Sequence, residues 1–208
     1  MLSPETLLLF LTSSTLLALA PGPDNLFVLA QSMANGAKAG IIITLGLCTG
    51  LLVHTTAVAF GLAVVFQTSA LAFTILKFLG AAYLLYLAWQ ALRPHHDDSP
   101  NPASQPIKAS QLYRRGIIMN ITNPKVSIFF MAFLPQFTDP AQGNITLQLL
   151  LLGALFLLSA LVVFSAVSLL SGSIGKRLKQ SPQVETVLNK LAGTVFAALA
   201  VKLLVSER

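Results

Sequence analysis

The sequence predicts an all-α, polytopic membrane protein with six transmembrane helices, arranged as two inverted three-helix repeats in which helices 1 and 4 are broken. Hydrophobic residues make up 55% of the 208 residues and charged residues only 10%, whereas a soluble domain carries about 25% charged residues. The apolar residues are gathered in long runs, and one polar segment separates these runs into two groups of three. Short motifs of the first group recur in the second.

Six apolar runs are candidates for transmembrane helices. A helix needs about 20 apolar residues to cross about 30 Å of hydrocarbon. The first and the fourth runs are interrupted by prolines, and both are therefore expected to form broken helices. The runs cover residues 7–20 with a continuation over 26–33, 41–66, 71–92, 112–137, 147–170 and 187–205.

The stretch "RPHHDDSPNPASQP" is the polar, proline-rich segment between the two groups. Such a composition cannot form a packed core and is typical of a loop. It predicts a first repeat over residues 1–92, a cytoplasmic linker over 93–110 and a second repeat over 111–208. The paired histidines and aspartates at 95–98 could hold a metal ion, but solvation is the expected state of side chains in so loose a loop. No metal or other cofactor is therefore predicted.

The two halves share motifs at corresponding positions. "KFLGAAYLLYLA" from Lys77 and "KLAGTVFAALAV" from Lys190 have lysine, glycine and an aromatic residue in register. Pro23 and Pro124 each precede a charged residue and an apolar helix. Because each half has an odd number of spans, the second half must insert with the opposite orientation, which is the inverted repeat of many secondary transporters.

The positions of lysine and arginine predict the orientation of the chain in the membrane. The net charge of +6 comes mainly from loops that would lie on one side, and the positive-inside rule makes these loops cytoplasmic. Both termini are then expected outside the cytoplasm. We attribute the charge to orientation, so no nucleic-acid partner is predicted. The basic residues of these loops are Lys38, Arg93, Lys108, Arg114, Arg115, Lys176, Arg177 and Lys179.

The first break is the stretch "PGPDN". Proline removes a helical hydrogen bond and disfavours helical backbone in the residue before it, so the helix must open or kink at Pro21, Gly22 and Pro23. A new helix is expected to begin near Pro23, with Asp24 and Asn25 in its first turn. A carboxylate there meets the positive end of the helix dipole.

The second break is the stretch "NITNPK". Asn123 is a good helix cap and Pro124 a good first residue. Lys125 is a cation in a first turn, where the dipole disfavours it, and this position calls for a negative partner. A charge at the centre of a span costs about 2.5–3.5 kcal/mol. Because inverted repeats bring matching positions together near the midplane, Asp24 and Lys125 are predicted to face one cavity.

Opposite charges beside two helix N-termini suit a zwitterion. Its ammonium would lie toward Asp24, and its carboxylate toward Lys125 and exposed backbone N–H groups. The alternative is a buried ion pair that only holds two kinked helices together. Both interpretations stay open, and they are compatible if the pair opens when substrate enters.

Four stretches together resemble the lysine-exporter superfamily, and in particular its homoserine/threonine-resistance branch (LysE/RhtB). They are "PGPDN", "GLCTGLLVHT", "KFLGAAYLLYLAWQ" and "NITNPKVSIFFMAFLPQF", and the resemblance runs from the N-terminus to the last span. It implies six spans in a bacterial inner membrane and export of amino acids or their derivatives, driven by the proton gradient. It also implies roles for Pro21, Gly22, Pro23, Asp24, Asn123, Pro124 and Lys125.

Other polar residues within the spans complete the candidate site. Gly46, Gly50 and His54 share one helix face, and the glycines permit close helix approach. With an ordinary pKa of about 6.5, His54 could relay protons together with Asp24, or it could be a histidine hydrogen-bonded to a neighbouring helix. The predicted substrate-binding set is Asp24, Asn25, Tyr83, Asn120, Asn123 and Lys125.

The leading function is export of small neutral amino acids, because the one deep carboxylate, Asp24, is offset by Lys125. A metal-ion exporter would need several oxygen ligands. A membrane-embedded hydrolase would need a nucleophile with a base or paired metal ligands, and the sequence has neither HExxH nor GxSxG. The predicted partners are an amino acid, protons and the lipid bilayer, and the glycine faces allow a homodimer.

Overall fold

The chain folds into helices, as predicted. The computed structural model describes residues 2–20, 22–68, 70–93, 108–180 and 182–205. Every regular element within these ranges is helical. The α-helices are α1 (Pro4–Leu19), α2 (Pro23–Asn35), α3 (Ala37–Thr68), α4 (Ala70–Leu92), α5 (Ala109–Thr122), α6 (Pro124–Phe133), α7 (Ile145–Gln180) and α8 (Pro182–Val205).

Both predicted helix breaks are present. The axes of α1 and α2 are bent by 58°, and those of α5 and α6 by 54°. Each new helix begins at a proline, Pro23 or Pro124, as expected for a residue that lacks an N–H group and suits a first turn. Pro21, one of the predicted break residues, and most of the predicted linker over 93–110 lie outside the described residues.

Several helices are suited to a bilayer. Among the described residues, two single segments are long and apolar enough to cross a membrane, Ala37–Gly61 and Ile145–Ser171. The α1–α2 pair and the α5–α6 pair also qualify when each is taken as one span, and α4 contains a shorter apolar segment, Phe78–Gln90. The protein is a polytopic, all-α membrane protein. The total of six spans and their inverted repeat stay predictions.

The helix α3 lies at the centre of the bundle and brings the two breaks together. It packs against α2, α5 and α7, while α4 pairs with α8 and also contacts α6. A methyl group at Gly46 would overlap the carbonyl of Tyr113, and one at Gly116 would overlap the carbonyl of Ile43. The predicted close approach at the glycine face of the second span is thus confirmed.

Large apolar side chains also cover the outside of the bundle. Leu8 on α1 is 69% exposed and Val162 on α7 is 68% exposed. Exposed apolar surface on this scale is suited to lipid and not to water. Several polar side chains are instead buried inside the bundle, among them Asp24, Asn120 and Asn123 at the two breaks.

Candidate functional site

The two helix breaks meet in one cavity. Its volume is about 60 Å³, which is room for a few water molecules. The apolar wall is formed mainly by Leu51 of α3, Phe129 of α6, and Phe156 and Phe164 of α7. The polar lining consists of Asp24, Asn25, Asn120, Asn123 and Lys125.

Two asparagines of the second half hold Asp24 in place. Asp24 is only 7% exposed. Its Oδ2 atom accepts a hydrogen bond of 3.2 Å from Nδ2 of Asn120, and its Oδ1 atom accepts one of 3.1 Å from Nδ2 of Asn123. A buried carboxylate is costly unless it is hydrogen-bonded, so these amides stabilise the charged form of Asp24 inside the bundle.

Asn123 also fixes the start of α6. Its Oδ1 atom accepts the backbone N–H of Lys125 at 3.0 Å, and its backbone carbonyl accepts the N–H groups of Val126 and Ser127. The donors of the first turn of α6 are therefore occupied. Asn123 connects the two breaks, because its amide nitrogen binds Asp24 while its amide oxygen caps the helix that carries Lys125.

The side chain of Lys125 extends from α6 to the start of α2. A Cβ atom built on Gly22 would lie 3.1 Å from Nζ of Lys125, so any larger residue at Gly22 would crowd this ammonium. Lys125 and Asp24 both line the cavity. In the described structure α2 has no side-chain cap, which distinguishes its N-terminus from that of α6.

His54 supports the second break from α3. Pro124 has no N–H group, so the carbonyl of Asn120 lacks the donor that a continuous helix would provide. Nε2 of His54 lies 3.1 Å from this carbonyl oxygen. Because a carbonyl only accepts hydrogen bonds, Nε2 must donate. The hydrogen bond to a neighbouring helix is thereby confirmed, and the proton-relay role of His54 stays a prediction.

The comparisons with known proteins identify the family of the chain. The family model of the LysE type translocator matches residues 15–207. The chain belongs to this family.

Three bacterial relatives each match most of this chain. The homoserine/homoserine lactone efflux protein of Salmonella typhimurium is 35% identical over 187 residues, which cover 90% of each chain. An uncharacterized membrane protein of Vibrio cholerae is 31% identical over 91% of each chain. The uncharacterized membrane protein YrhP of Bacillus subtilis is 31% identical over 95% of this chain and 98% of its own length. No solved structure matches the chain significantly.

Membership of the LysE family decides the class of function. The family consists of translocators, so the protein is a membrane transporter and not an enzyme. The matched region includes both helix breaks and all five polar residues that line the cavity. The resemblance stated from the four sequence motifs is therefore confirmed.

In this translocator, Asn25 supports the first break. Its Nδ2 atom donates to the carbonyls of Ala18 at 2.8 Å and Ala20 at 2.9 Å. These carbonyls lie at the C-terminal end of α1, where the prolines interrupt the helical hydrogen bonds. Asn25 at the first break thus has the same task as His54 at the second. Its predicted contact with substrate remains a prediction.

Tyr83 is not brought to this cavity. It lies on α4, where its ring centroid is 6.0 Å from that of Tyr86, and it is not among the residues that line the cavity. The rotation of α4 about its own axis decides this placement. The apolar pattern of α4 does not define that rotation, because the helix is apolar on several faces.

Gly50 has a specific partner that the sequence did not reveal. A Cβ atom on Gly50 would lie 2.7 Å from both Cβ and Oδ1 of Asn120. Asn120 is 2% exposed, and among the described residues its Oδ1 atom has no hydrogen-bond partner. Because Gly50 has no side chain, there is room beside it for the side chain of Asn120, which binds Asp24. The sequence does contain one indication of this arrangement. Asn120 and Asn123 are three residues apart, so their amides lie on the same side of the helix at the second break.

Proposed function

We propose that this translocator exports small neutral amino acids or their close derivatives from the cytoplasm across the bacterial inner membrane. The observation that carries the proposal is that Asp24 and Lys125, from two different helix breaks, line one cavity. Opposite charges at a broken pair of helices provide one contact for each charged group of an amino acid.

The carboxylate of the substrate would bind beside Nζ of Lys125, which itself lies close to the start of α2 at Gly22. This end of α2 lacks a side-chain cap, whereas Asn123 occupies the donors of α6. A helix N-terminus with unoccupied N–H groups favours an anion. The ammonium would bind Asp24, whose oxygens each accept one amide hydrogen bond and can accept another.

The lining of the cavity favours a small, uncharged side chain. Among the described residues that line it, Asp24 and Lys125 are the only charged ones, and Leu51, Phe129 and Phe156 are apolar. A cationic or anionic side chain would therefore be buried without a partner, which is costly. The cavity volume of about 60 Å³ favours a small substrate over a large one. Two relatives named homoserine/homoserine lactone efflux protein support a substrate of this kind.

Asp24 is the group that we propose to couple export to protons. It can bind either a proton or the ammonium of the substrate. This competition would link the movement of protons across the membrane to the export of the substrate. Nε2 of His54 donates to the carbonyl of Asn120 at the second break. Of the two roles left open for His54, this geometry favours support of the helix break.

We propose that the N-terminus and the segment after α6 face the outside of the cell. Leu2 and Thr6 line one pocket together with Gln136 and Asp139, so these segments share one end of the bundle. The basic residues Lys38, Arg114 and Arg115 belong to the opposite helix ends, which the positive-inside rule assigns to the cytoplasm. Both termini lie outside if the six spans are as predicted.

Counterflow tests the proposal. Purified protein in lipid vesicles would be loaded with unlabelled L-homoserine, and uptake of labelled L-homoserine would be followed. We expect counterflow with the parent and with Lys108→Ala, a control that removes a lysine outside the cavity, and none with Asp24→Asn. Absence of counterflow for L-homoserine, L-threonine and L-serine would contradict the proposal, as would exchange of a divalent cation in their place.

A further inference from the structure

A second pocket lies at the end of the bundle where α1 begins. Its volume is about 200 Å³, compared with about 60 Å³ for the central cavity. Among the described residues that line it, Asp139 is the only charged one. Its polar lining consists of Thr6, Gln136, Thr138, Asp139 and Gln142.

A continuous row of aromatic rings leads from the central cavity to the second pocket. Phe129 lines the central cavity and Phe137 lines the second pocket. Phe133 lies between them, with its ring centroid 4.4 Å from that of Phe129 and 4.8 Å from that of Phe137. Phe10 of α1 covers the row at 5.3 Å from Phe133 and 5.1 Å from Phe137. Phe133 is fully buried.

The row spans a change of helix type. α6 ends at Phe133, and a 3-10 turn follows over Leu134–Phe137. Pro135 in this turn has no N–H group, so the α-helical hydrogen bond to the preceding turn is missing there. The turn lies within the helical segment Pro124–Phe137, and a 3-10 stretch inside such a segment often marks a hinge or a strained sequence. A small change at this junction would move Phe133 and Phe137 relative to Phe129.

We propose that the second pocket is the release vestibule for the zwitterionic amino-acid substrate, and that Phe129, Phe133 and Phe137 with Phe10 form the barrier between it and the central cavity. This inference rests on the proposed function for the identity of the solute. The hydroxyl and amide groups of Thr6, Gln136 and Gln142 suit a carboxylate, and Asp139 suits an ammonium. The aromatic row keeps the two cavities separate until the junction after α6 rearranges.

Thiol accessibility tests the barrier without depending on the solute. Cys48, the single cysteine of the chain, would be replaced by serine, and Ala160→Cys would place a thiol in the lining of the central cavity. A charged, membrane-impermeant methanethiosulfonate reagent would be added to vesicles from the side on which Thr6→Cys reacts. Thr6→Cys defines the vestibule side whichever way the protein is inserted.

The comparison is between Phe133→Ala and Phe130→Ala. Phe130 is equally buried on the same helix, but its ring contacts His54 and Phe156 and lies outside the row. We expect Phe133→Ala to raise the labelling rate of Ala160→Cys by roughly tenfold, which corresponds to about 1.4 kcal/mol in the opening equilibrium, and Phe130→Ala to leave it unchanged. Phe133→Leu repeats the comparison with a smaller loss of packing if the alanine variant does not fold.

Equal labelling rates in the Phe133 and Phe130 variants would overturn the barrier, provided that Thr6→Cys reacts normally in both. For the vestibule, saturating L-homoserine should slow the labelling of Thr6→Cys, and unchanged labelling would overturn that assignment. Failure of the proposed function would appear separately, as missing counterflow in the parent protein with the labelling pattern intact.

Discussion

Asn123 donates a hydrogen bond of 3.1 Å to Asp24 across the two helix breaks. The same side chain caps α6 through the backbone N–H of Lys125. One amide thus fixes the distance between the negative charge of the first break and the helix that carries the positive charge of the second. The geometry of the site therefore depends on this residue.

The two tasks of Asn123 can be separated by two substitutions. Asn123→Ser keeps a capping oxygen but loses the amide that binds Asp24, whereas Asn123→Ala loses both. We expect Asn123→Ala to lower the free energy of unfolding by about 0.5–2 kcal/mol relative to Asn123→Ser, since this is the usual contribution of a cap. Both should abolish counterflow. Thermal unfolding in detergent measures the first effect, and equal stability of the two variants would contradict the capping role.

We expect transport to be sensitive to substitution of Gly50 and insensitive to substitution of Gly61 on the same helix. Gly50→Ala places a methyl group 2.7 Å from Oδ1 of Asn120, which displaces the amide that binds Asp24 and should reduce counterflow strongly. A methyl group on Gly61 meets nothing within 4 Å. Gly61→Ala should therefore leave transport unchanged and stabilise the helix by up to roughly 0.5–1 kcal/mol. Similar transport rates in the two variants would show that Asn120 does not depend on the space at Gly50.

His54 is expected to act through its hydrogen bond to the carbonyl of Asn120. His54→Gln retains an N–H donor and should keep both gradient-driven export and exchange, while His54→Ala should lower protein level and both activities together. Gradient-driven export into acidified vesicles and exchange at equal pH distinguish these cases. A His54→Gln variant with normal exchange and no driven export would instead assign the proton relay to this histidine.

The orientation can be measured in intact cells with cysteine variants in the Cys48→Ser background. Gln142→Cys, an exposed position at the vestibule, should react with an impermeant thiol reagent. Lys38→Cys, an exposed position in the first turn of α3, should react only after the cells are permeabilised. The reverse pattern would place the basic loops outside and overturn the assignment of both termini.

The sequence predicted the breaks well because their causes are local. Pro23 and Pro124 each dictate where a helix begins, whatever surrounds them, and the glycine spacing in α3 marked a close helix contact. The meeting of Asp24 and Lys125 in one cavity was predicted from the correspondence of the halves. These features depend on a few neighbouring residues or on a motif that occurs twice.

The sequence did not predict the partners of these residues, because they come from distant parts of the chain. Asn120 and Asn123 bind Asp24 from 96 and 99 residues away, and nothing local distinguishes an amide that holds a carboxylate from one that binds substrate. The sequence predicts only substrate binding for Asn25. The carbonyl groups that lose their helical partners at the first break also need a hydrogen-bond donor, and Asn25 provides it. The row of phenylalanines on α6 looked like an ordinary apolar span, because its significance depends on where the two cavities lie.

Lys125→Ala removes one charge of the site and leaves the other. It should destabilise the protein by about 3–5 kcal/mol if Asp24 stays charged and buried without its partner. Asp24→Asn keeps the size of the side chain and should leave folding largely intact while abolishing transport. These single changes do not separate substrate binding from structural pairing, because both interpretations expect a loss of transport.

The double variant Asp24→Asn with Lys125→Gln tests the central claim most directly, since it removes both charges and leaves no unpaired ion. Unfolding temperature in detergent and counterflow of labelled L-homoserine in vesicles would be measured on the same preparation, with Lys108→Gln as a control for loss of a lysine. If Asp24 and Lys125 bind the ammonium and carboxylate of the substrate, the double variant should regain the stability lost in Lys125→Ala and show no counterflow. Recovery of both stability and counterflow would contradict the account and reduce the two charges to a structural pair.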